Sequence, residues 1–301
     1  MKILLAKHLW DYEGTPIATY ATSLSRAFTQ AGHEVTEIDK QIILDDSVYR
    51  AHDLLFDIDC GKDMKGDQKF HLCHPKIQSL IKTVFFAIDS HGNADMHQRL
   101  SRSADYVFFA IWDKRDLFAD HPSATWTPSF TDLAYFDGET FTSEKTKDFC
   151  FLGSLGGLDR ADPMVKACKD NNWTFDVDEV GRKGKHTWPR TAERMGACRF
   201  GFNHGQKHDG PNLRTIETMA MKLPLICDQD TRDGKGFLFE PWQHYIPYKA
   251  YSYEGLLERM QWCMTNPDKA AKIAKQAYDE VCLNHLASHR VQTILEVVCK
   301  S

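Results

Sequence analysis

The chain has 301 residues, of which 42% are hydrophobic and 26% charged, with a net charge of −5. That length suits two globular domains of about 150 residues each, and the acidic balance excludes a uniformly basic nucleic-acid binder. No apolar run approaches the roughly 20 residues that span a bilayer, Met1 to Lys7 is too short for a signal-peptide core, and nine scattered cysteines without a Cys-x-x-Cys pair speak against a disulfide framework or a ribbon-type zinc site, so a cytoplasmic location is expected.

In chain order, Lys2 to Ala6 reads as a buried first strand. Thr15-Pro16 marks a helix start, and Ile17, Tyr20, Leu24 and Phe28 recur at helical spacing until Gly32. His33 to Ile38 returns as a strand, which completes a βαβ opening. Leu54 to Ile58, Val84 to Ile88 and Tyr106 to Ala110 are short apolar runs followed by polar residues, as parallel strands covered on both faces require. Asp137 to Asp148 is polar and lacks periodicity, which makes it the expected interdomain linker. A second set of strands follows at Phe149 to Leu152, Thr174 to Val177, Cys198 to Phe202, Leu225 to Cys227 and Tyr245 to Pro247. Helices over Tyr253 to Thr265 and Asp268 to Asn284 part at Asn266-Pro267, and Ala287 to Val298 forms a last helix. The expected fold class is α/β, with two Rossmann-like domains of parallel sheet flanked by helices.

The most informative stretch runs from Asn212 to Asp228. Gly210-Pro211 stops what precedes it, and Asn212 is a good N-cap for a helix whose free N–H groups and positive dipole end attract phosphate. Arg214 then falls in the first turn, where a cation opposes the dipole; a bound diphosphate would explain it. Glu217 lies three residues on and shares its face, either as a plain salt-bridge partner or as an acceptor for a ribose diol. Gly153-Ser154-Leu155-Gly156-Gly157 follows a strand directly, so backbone amides there could approach a phosphate or a sugar, although tight turns use glycine for steric reasons too. Asp89 and His91 follow a strand of the first half, either as a base with its orienting partner or with Asp89 capping the next helix. No Gly-x-Gly-x-x-Gly is present, and Gly181 to His186 lacks the spacing and hydroxyl of a Walker loop. Cys60, His71, Cys73 and His74 lack regular zinc spacing, and the two Asp-x-Asp runs, Asp57-Ile58-Asp59 and Asp228-Gln229-Asp230, lack a metal-site context, so no metal is expected. Arg182, Lys183, Lys185, Arg190, Arg194 and Arg199, with Trp188, form a basic stretch that suits either a phosphate backbone or an ordinary solvated face.

These residues also resemble a family. Asn212-Leu213-Arg214-Thr215-Ile216-Glu217 is similar to the donor-binding segment of CgeB-like glycosyltransferases of the GT-B fold. Phe149-Cys150-Phe151-Leu152-Gly153-Ser154, Ala87-Ile88-Asp89-Ser90-His91, Gly236-Phe237-Leu238-Phe239, Tyr245-Ile246-Pro247-Tyr248 and the helical tail near His289-Arg290 follow that family's order over most of residues 85 to 300. The resemblance implies an acceptor domain over 1–145, a nucleotide-sugar donor domain over 146–285 with a cleft between them, and a helix over 286–301 crossing back to the first domain. It implies sugar transfer from a nucleoside diphosphate, such as a UDP-sugar, to a hydroxyl with retention of configuration and without metal or cofactor. Arg214, the helix start at Asn212 and Arg160 would hold the diphosphate, Glu217 the ribose, and Gly153-Ser154 the sugar, with Asp89 and His91 on the acceptor side. The acceptor would be a small molecule, a glycan or a hydroxymethylated base, since compact relatives modify phage DNA; the host would be a bacterial or phage-infected cell. A sugar-nucleotide epimerase and a non-catalytic sugar-nucleotide sensor are the alternatives.

Overall fold

The computed structural model describes residues 1–7, 11–12, 15–16, 20–39, 42–59, 75–88, 90, 92–141, 143–153, 160–179, 188–204, 211–228 and 238–300. Two compact units emerge: Met1–Asp11, Ala18–Ser129 and Ala287–Ser301 form the first, Tyr12–Ile17 and Phe130–Leu286 the second.

The chain opens with β1 (Lys2–Lys7), the short paired strands β2 (Asp11–Tyr12) and β3 (Thr15–Pro16), α1 (Tyr20–Gln30) and β4 (Glu34–Asp39). There follow α2 (Asp46–Arg50), β5 (Leu54–Asp59), α3 (Pro75–Gln78), β6 (Lys82–Ala87), α4 (Ala94–Ser101), β7 (Tyr106–Phe109), a 3-10 helix over Trp112–Phe118, and β8 (Ala124–Trp126). The first unit's sheet is parallel, in the order β4-β1-β5-β6-β7-β8. Ile3, Leu4, Leu5 and Ala6 of β1 are all fully buried, because helices cover both faces of such a sheet. Tyr20, Leu24 and Phe28 face inward from α1.

The second unit contains β9 (Lys147–Gly153), α5 (Asp162–Asn171), β10 (Phe175–Glu179), α6 (Trp188–Gly196), β11 (Cys198–Asn203) and α7 (Leu213–Ala220). It continues with β12 (Leu225–Cys227), β13 (Ile246–Pro247), α8 (Tyr253–Thr265) and α9 (Pro267–Asn284), after which α10 (Ala287–Val298) returns to the first unit. Its five strands are also parallel, in the order β10-β9-β11-β12-β13. One core cluster gathers Ile216, Met219, Leu225, Phe136 and Val281; another gathers Phe149, Phe151, Phe200, Phe202 and Met260. Gly201 permits α7 to lie close on β11, since a Cβ there would meet Thr218 Cγ2 at 2.6 Å.

Within the first unit α10 packs on α1. Its buried Arg290 donates from Nε to the Pro128 carbonyl at 2.8 Å and from Nη2 to that of Ser129 at 3.2 Å. Low-dielectric surroundings bring this guanidinium down to about 10.

The structure departs from the sequence expectations in three places. Thr15-Pro16 pairs as a strand instead of capping a helix, and α1 is described from Tyr20 on. The units divide at Ser129/Phe130, ahead of the polar stretch Asp137 to Asp148 and of the expected boundary at 145. Phe136 is fully buried in the second core, and a Cβ at Gly138 would strike the Met221 carbonyl at 2.4 Å, so the start of this polar segment is packed against the end of α7. Strand β8 is three residues long, too short to register as an apolar run.

Candidate functional site

All strands of the second sheet run parallel, so Gly153, Asn203, Cys227 and Pro247 end on one edge, the edge where open α/β sheets take ligands. Asn212 caps α7 in an extended conformation and accepts the Thr215 N–H at 3.1 Å. That is the expected capping bond. Asn203, at the end of β11, donates from Nδ2 to Asn212 Oδ1 at 3.0 Å and to Thr215 Oγ1 at 2.9 Å. One buried amide therefore fixes the helix start to the strand end.

Arg214 and Glu217 come together in the first turn, with Nη1 and Oε2 2.7 Å apart. The guanidinium carbon lies 5.9 Å from the centre of the Phe136 ring. The contact is an ion pair without hydrogen-bond alignment: Arg214 Nε and Nη1 and both Glu217 oxygens are buried with no hydrogen-bond partner among the described residues. Burial raises the Glu217 carboxyl from 4.5 to about 7, and the Arg214 charge offsets only part of that. Buried polar atoms are normally satisfied, which sets these four atoms apart from the other described side chains of the edge.

Arg160 stands elsewhere on the same edge. It donates from Nε to the His204 carbonyl at 3.1 Å, and Nη2 reaches the same oxygen. Burial lowers its pKa from 12.5, with Asp228 opposing. Expected as a holder of diphosphate, it serves at least in part to tie the start of α5 to the end of β11. At Gly153 an added Cβ would meet nothing nearer than the Phe151 ring at 3.5 Å, so the described packing does not demand glycine there.

Ser154, Asp89 and His91 lie outside the described residues, as do Cys60, His71, Cys73, His74 and Asp230. Ser90, between Asp89 and His91, is buried and lies 2.9 Å from His97 Nδ1. Of the basic stretch, Arg194 is bound to Asp176, with Nε 2.9 Å from Oδ2, and Arg199 contacts Asp148 at 3.2 Å. Those two cations are each paired with a carboxylate within the unit; Arg182, Lys183 and Lys185 lie outside the described residues, and Arg190 is exposed. Among the described residues no three His, Cys, Asp or Glu side chains are grouped to hold a metal ion, and no helix is long and apolar enough to cross a membrane.

Sequence reasoning missed Asn203 and His204, and it gave Thr215 and Tyr248 no role beyond their motifs. The available signal was a polar residue directly after an apolar strand, as in Phe202-Asn203-His204 and Pro247-Tyr248.

No curated protein sequence matches the chain. Among solved structures it is similar to an alpha-glucosyltransferase in complex with UDP and a 13-mer DNA containing an HMU base, with TM-score 0.66, 11% identity and 99% of each chain covered. It is similar to HepE of Anabaena in complex with UDP and glucose, with TM-score 0.64, 13% identity and 100% of each chain covered. Sucrose-phosphate synthase of Thermosynechococcus elongatus gives TM-score 0.64 and 11% identity over 99% of this chain and 98% of that one. At such identities the likeness is one of fold, the two parallel α/β units of GT-B glycosyltransferases. The family described as glycosyl transferase-like matches residues 145–296, half of the chain, from the start of β9 into α10. With α7 and its Arg214–Glu217 pair inside that match, the chain belongs to the glycosyl transferase-like family and is a glycosyltransferase of the GT-B fold.

Proposed function

We propose that the protein transfers a sugar from a nucleoside diphosphate, most simply a UDP-sugar, to a hydroxyl acceptor, without a metal and with retention of configuration, as a CgeB-like member of its family. The observation that carries this reading is the Arg214–Glu217 pair in the first turn of α7, four buried polar atoms of which lack hydrogen-bond partners among the described residues. Breaking the bond between the sugar C1 and the diphosphate oxygen leaves the electron pair on the leaving group while positive charge builds on the ring. Arg214 and the N–H groups that open α7 would meet that charge, aided by Arg160. Glu217 would accept hydrogen bonds from the ribose hydroxyls, and the backbone at Gly153-Ser154 would contact the sugar. The acceptor oxygen bonds to C1 and gives up its proton, to the departing diphosphate or to an acceptor-side base at Asp89 or His91. The unit holding Asp89 and His91 would serve as the acceptor domain and the second unit as the donor domain.

Similar solved structures bound to UDP favour a uridine donor. The DNA-bound alpha-glucosyltransferase favours hydroxymethylated DNA as a second acceptor reading.

A thermal-shift panel of nucleoside diphosphates and their sugars tests the donor. A ligand at 100 times its Kd stabilises by about 2.7 kcal/mol. Selective stabilisation by one of them supports the reading; no response to any rejects it. Incubation with the selected donor alone then separates an epimerase, which changes the sugar, from a sensor, which leaves it intact. Addition of hydroxymethylated DNA separates the two acceptor readings.

A further inference from the structure

A second polar cluster lies on the same sheet edge. His204 follows β11, Asp228 follows β12 and Tyr248 follows β13, so three adjacent strand ends contribute one side chain each. His204 Nδ1 is 2.5 Å from Asp228 Oδ2 and 2.9 Å from the Tyr248 hydroxyl. A carboxylate accepts, so this nitrogen carries its proton, and Nε2 becomes the ring atom that can meet another molecule. The orienting groups are deeply placed: the Asp228 side chain is 5% exposed, against 14% for His204. Burial, reinforced by Asp228, holds the Tyr248 hydroxyl well above the ordinary tyrosine range, so it stays a neutral hydroxyl.

Two further features distinguish this arrangement from a histidine that only fills a core. Tyr251, 77% exposed, stands edge-on to the imidazole with ring centres 5.2 Å apart. Its backbone holds φ at 61°, a left-handed conformation that a bulky residue adopts only under constraint. The neighbours also indicate which part of a ligand lies near. Asn203, adjacent in sequence, binds the cap of α7, and Arg160 binds the His204 carbonyl.

We infer that His204, oriented by Asp228 and Tyr248, is a further donor-binding residue whose Nε2 hydrogen-bonds an oxygen at the sugar-diphosphate end of the nucleotide-sugar. This rests on the nucleotide-sugar reading of the second unit. Asp228 and Tyr248 are positioning residues, because they act through the ring.

The test is titration calorimetry of the full chain with UMP, UDP, UDP-glucose and the AMP/ADP, CMP/CDP, GMP/GDP and dTMP/dTDP pairs. His204→Ala is expected to weaken diphosphate binding about tenfold, the worth of one good hydrogen bond, while monophosphate binding changes less than about twofold. A loss already present with UDP assigns the diphosphate as the partner, and a loss seen only with UDP-glucose assigns the sugar. His204→Gln, whose amide nitrogen reaches towards the Nε2 position, restores most of the affinity. His204→Asn, which reaches only the Nδ1 position beside Asp228, does not. Full rescue by His204→Asn, or equal losses with mono- and diphosphates, would overturn the inference in favour of a purely structural histidine. Wild-type binding that His204→Ala leaves intact would also overturn it. Failure of the wild type to bind any of these nucleotides would overturn the nucleotide-sugar reading itself, and this inference with it.

Discussion

Replacing Glu217 by Gln isolates the electrostatics of the α7 site. The carboxyl is 1% exposed, and burial raises it from 4.5 to about 7 despite Arg214 at 2.7 Å. Because the folded value lies above the unfolded one, the native state binds more protons between these limits. The stabilising contribution is therefore complete below pH 4.5 and is lost as pH rises through 7. A rise of about 2.5, at about 1.36 kcal/mol each, amounts to roughly 3 kcal/mol. Gln is neutral at every pH and resembles the protonated acid in size. The stability of Glu217→Gln relative to wild type should therefore be near its reference value at about pH 4 and rise by up to roughly 3 kcal/mol by pH 8.5. Urea unfolding of both proteins at several pH values measures this difference directly. A difference that stays flat with pH would refute the reasoning, since Arg214 would then be cancelling burial in full. A difference of opposite sign would mean that the ion pair dominates and that Glu217 is charged throughout.

Four other substitutions probe neighbouring parts of the argument. Arg214→Ala should weaken nucleoside-diphosphate binding by about 1.5–3 kcal/mol, the range for a hydrogen bond to a charged group; an unchanged Kd by calorimetry would remove Arg214 from the donor site. Asn212→Ala deletes the cap and the acceptor for Asn203, so unfolding free energy should fall by about 0.5–2 kcal/mol in urea. Gly201→Ala places a Cβ 2.6 Å from Thr218 Cγ2 and should cost about 1–3 kcal/mol while displacing α7 from β11; unaltered stability together with unaltered nucleotide affinity would contradict that close approach. Arg290→Ala leaves the Pro128 and Ser129 carbonyls without this donor and should destabilise the first unit by about 1–3 kcal/mol. Hydrogen exchange should then show reduced protection in α10, and undiminished protection would refute the anchoring role.

Much of the fold was legible because parallel strands covered on both faces announce themselves as continuous apolar runs. Leu225 to Cys227 matched to the residue, and Phe149 to Leu152 fell inside β9. What escaped was structure without an apolar run. Ala124–Trp126 extends the sheet edge with three half-buried residues, and Thr15-Pro16 carries a helix-start signal that a strand pairing overrides. The polar segment after Asp137 resembled a linker because it is largely exposed, and its start is held only by Phe136 and by the close approach of Gly138 to Met221, which composition does not report. The α7 cluster could be assembled from local spacing, since Asn212, Arg214 and Glu217 share one helical turn. His204 and Tyr248 could not, because they are 44 residues apart and meet only through the alignment of parallel strand ends.

Comparing which polar atoms are already committed separates architecture from recognition within this edge. Asn212 is engaged by Thr215 and Asn203, and Arg160 by the His204 carbonyl. Each keeps elements in place. Arg214 and Glu217 differ, because their pairing sets a cation against the dipole of its own helix and leaves four buried atoms without a hydrogen bond among the described residues. Such a pair is poor evidence of a stabilising role, since apolar side chains of similar volume are often at least as favourable in its place. On the proposed reading a bound nucleotide-sugar supplies the missing partners: a diphosphate for the guanidinium and ribose hydroxyls for the carboxylate. Ligand binding would then favour the ionised form of Glu217 and release a proton near pH 6.5. Calorimetry in buffers of different ionisation enthalpy reads that release as a buffer-dependent heat, and heats that do not vary with buffer would show that the ligand leaves the Glu217 proton untouched.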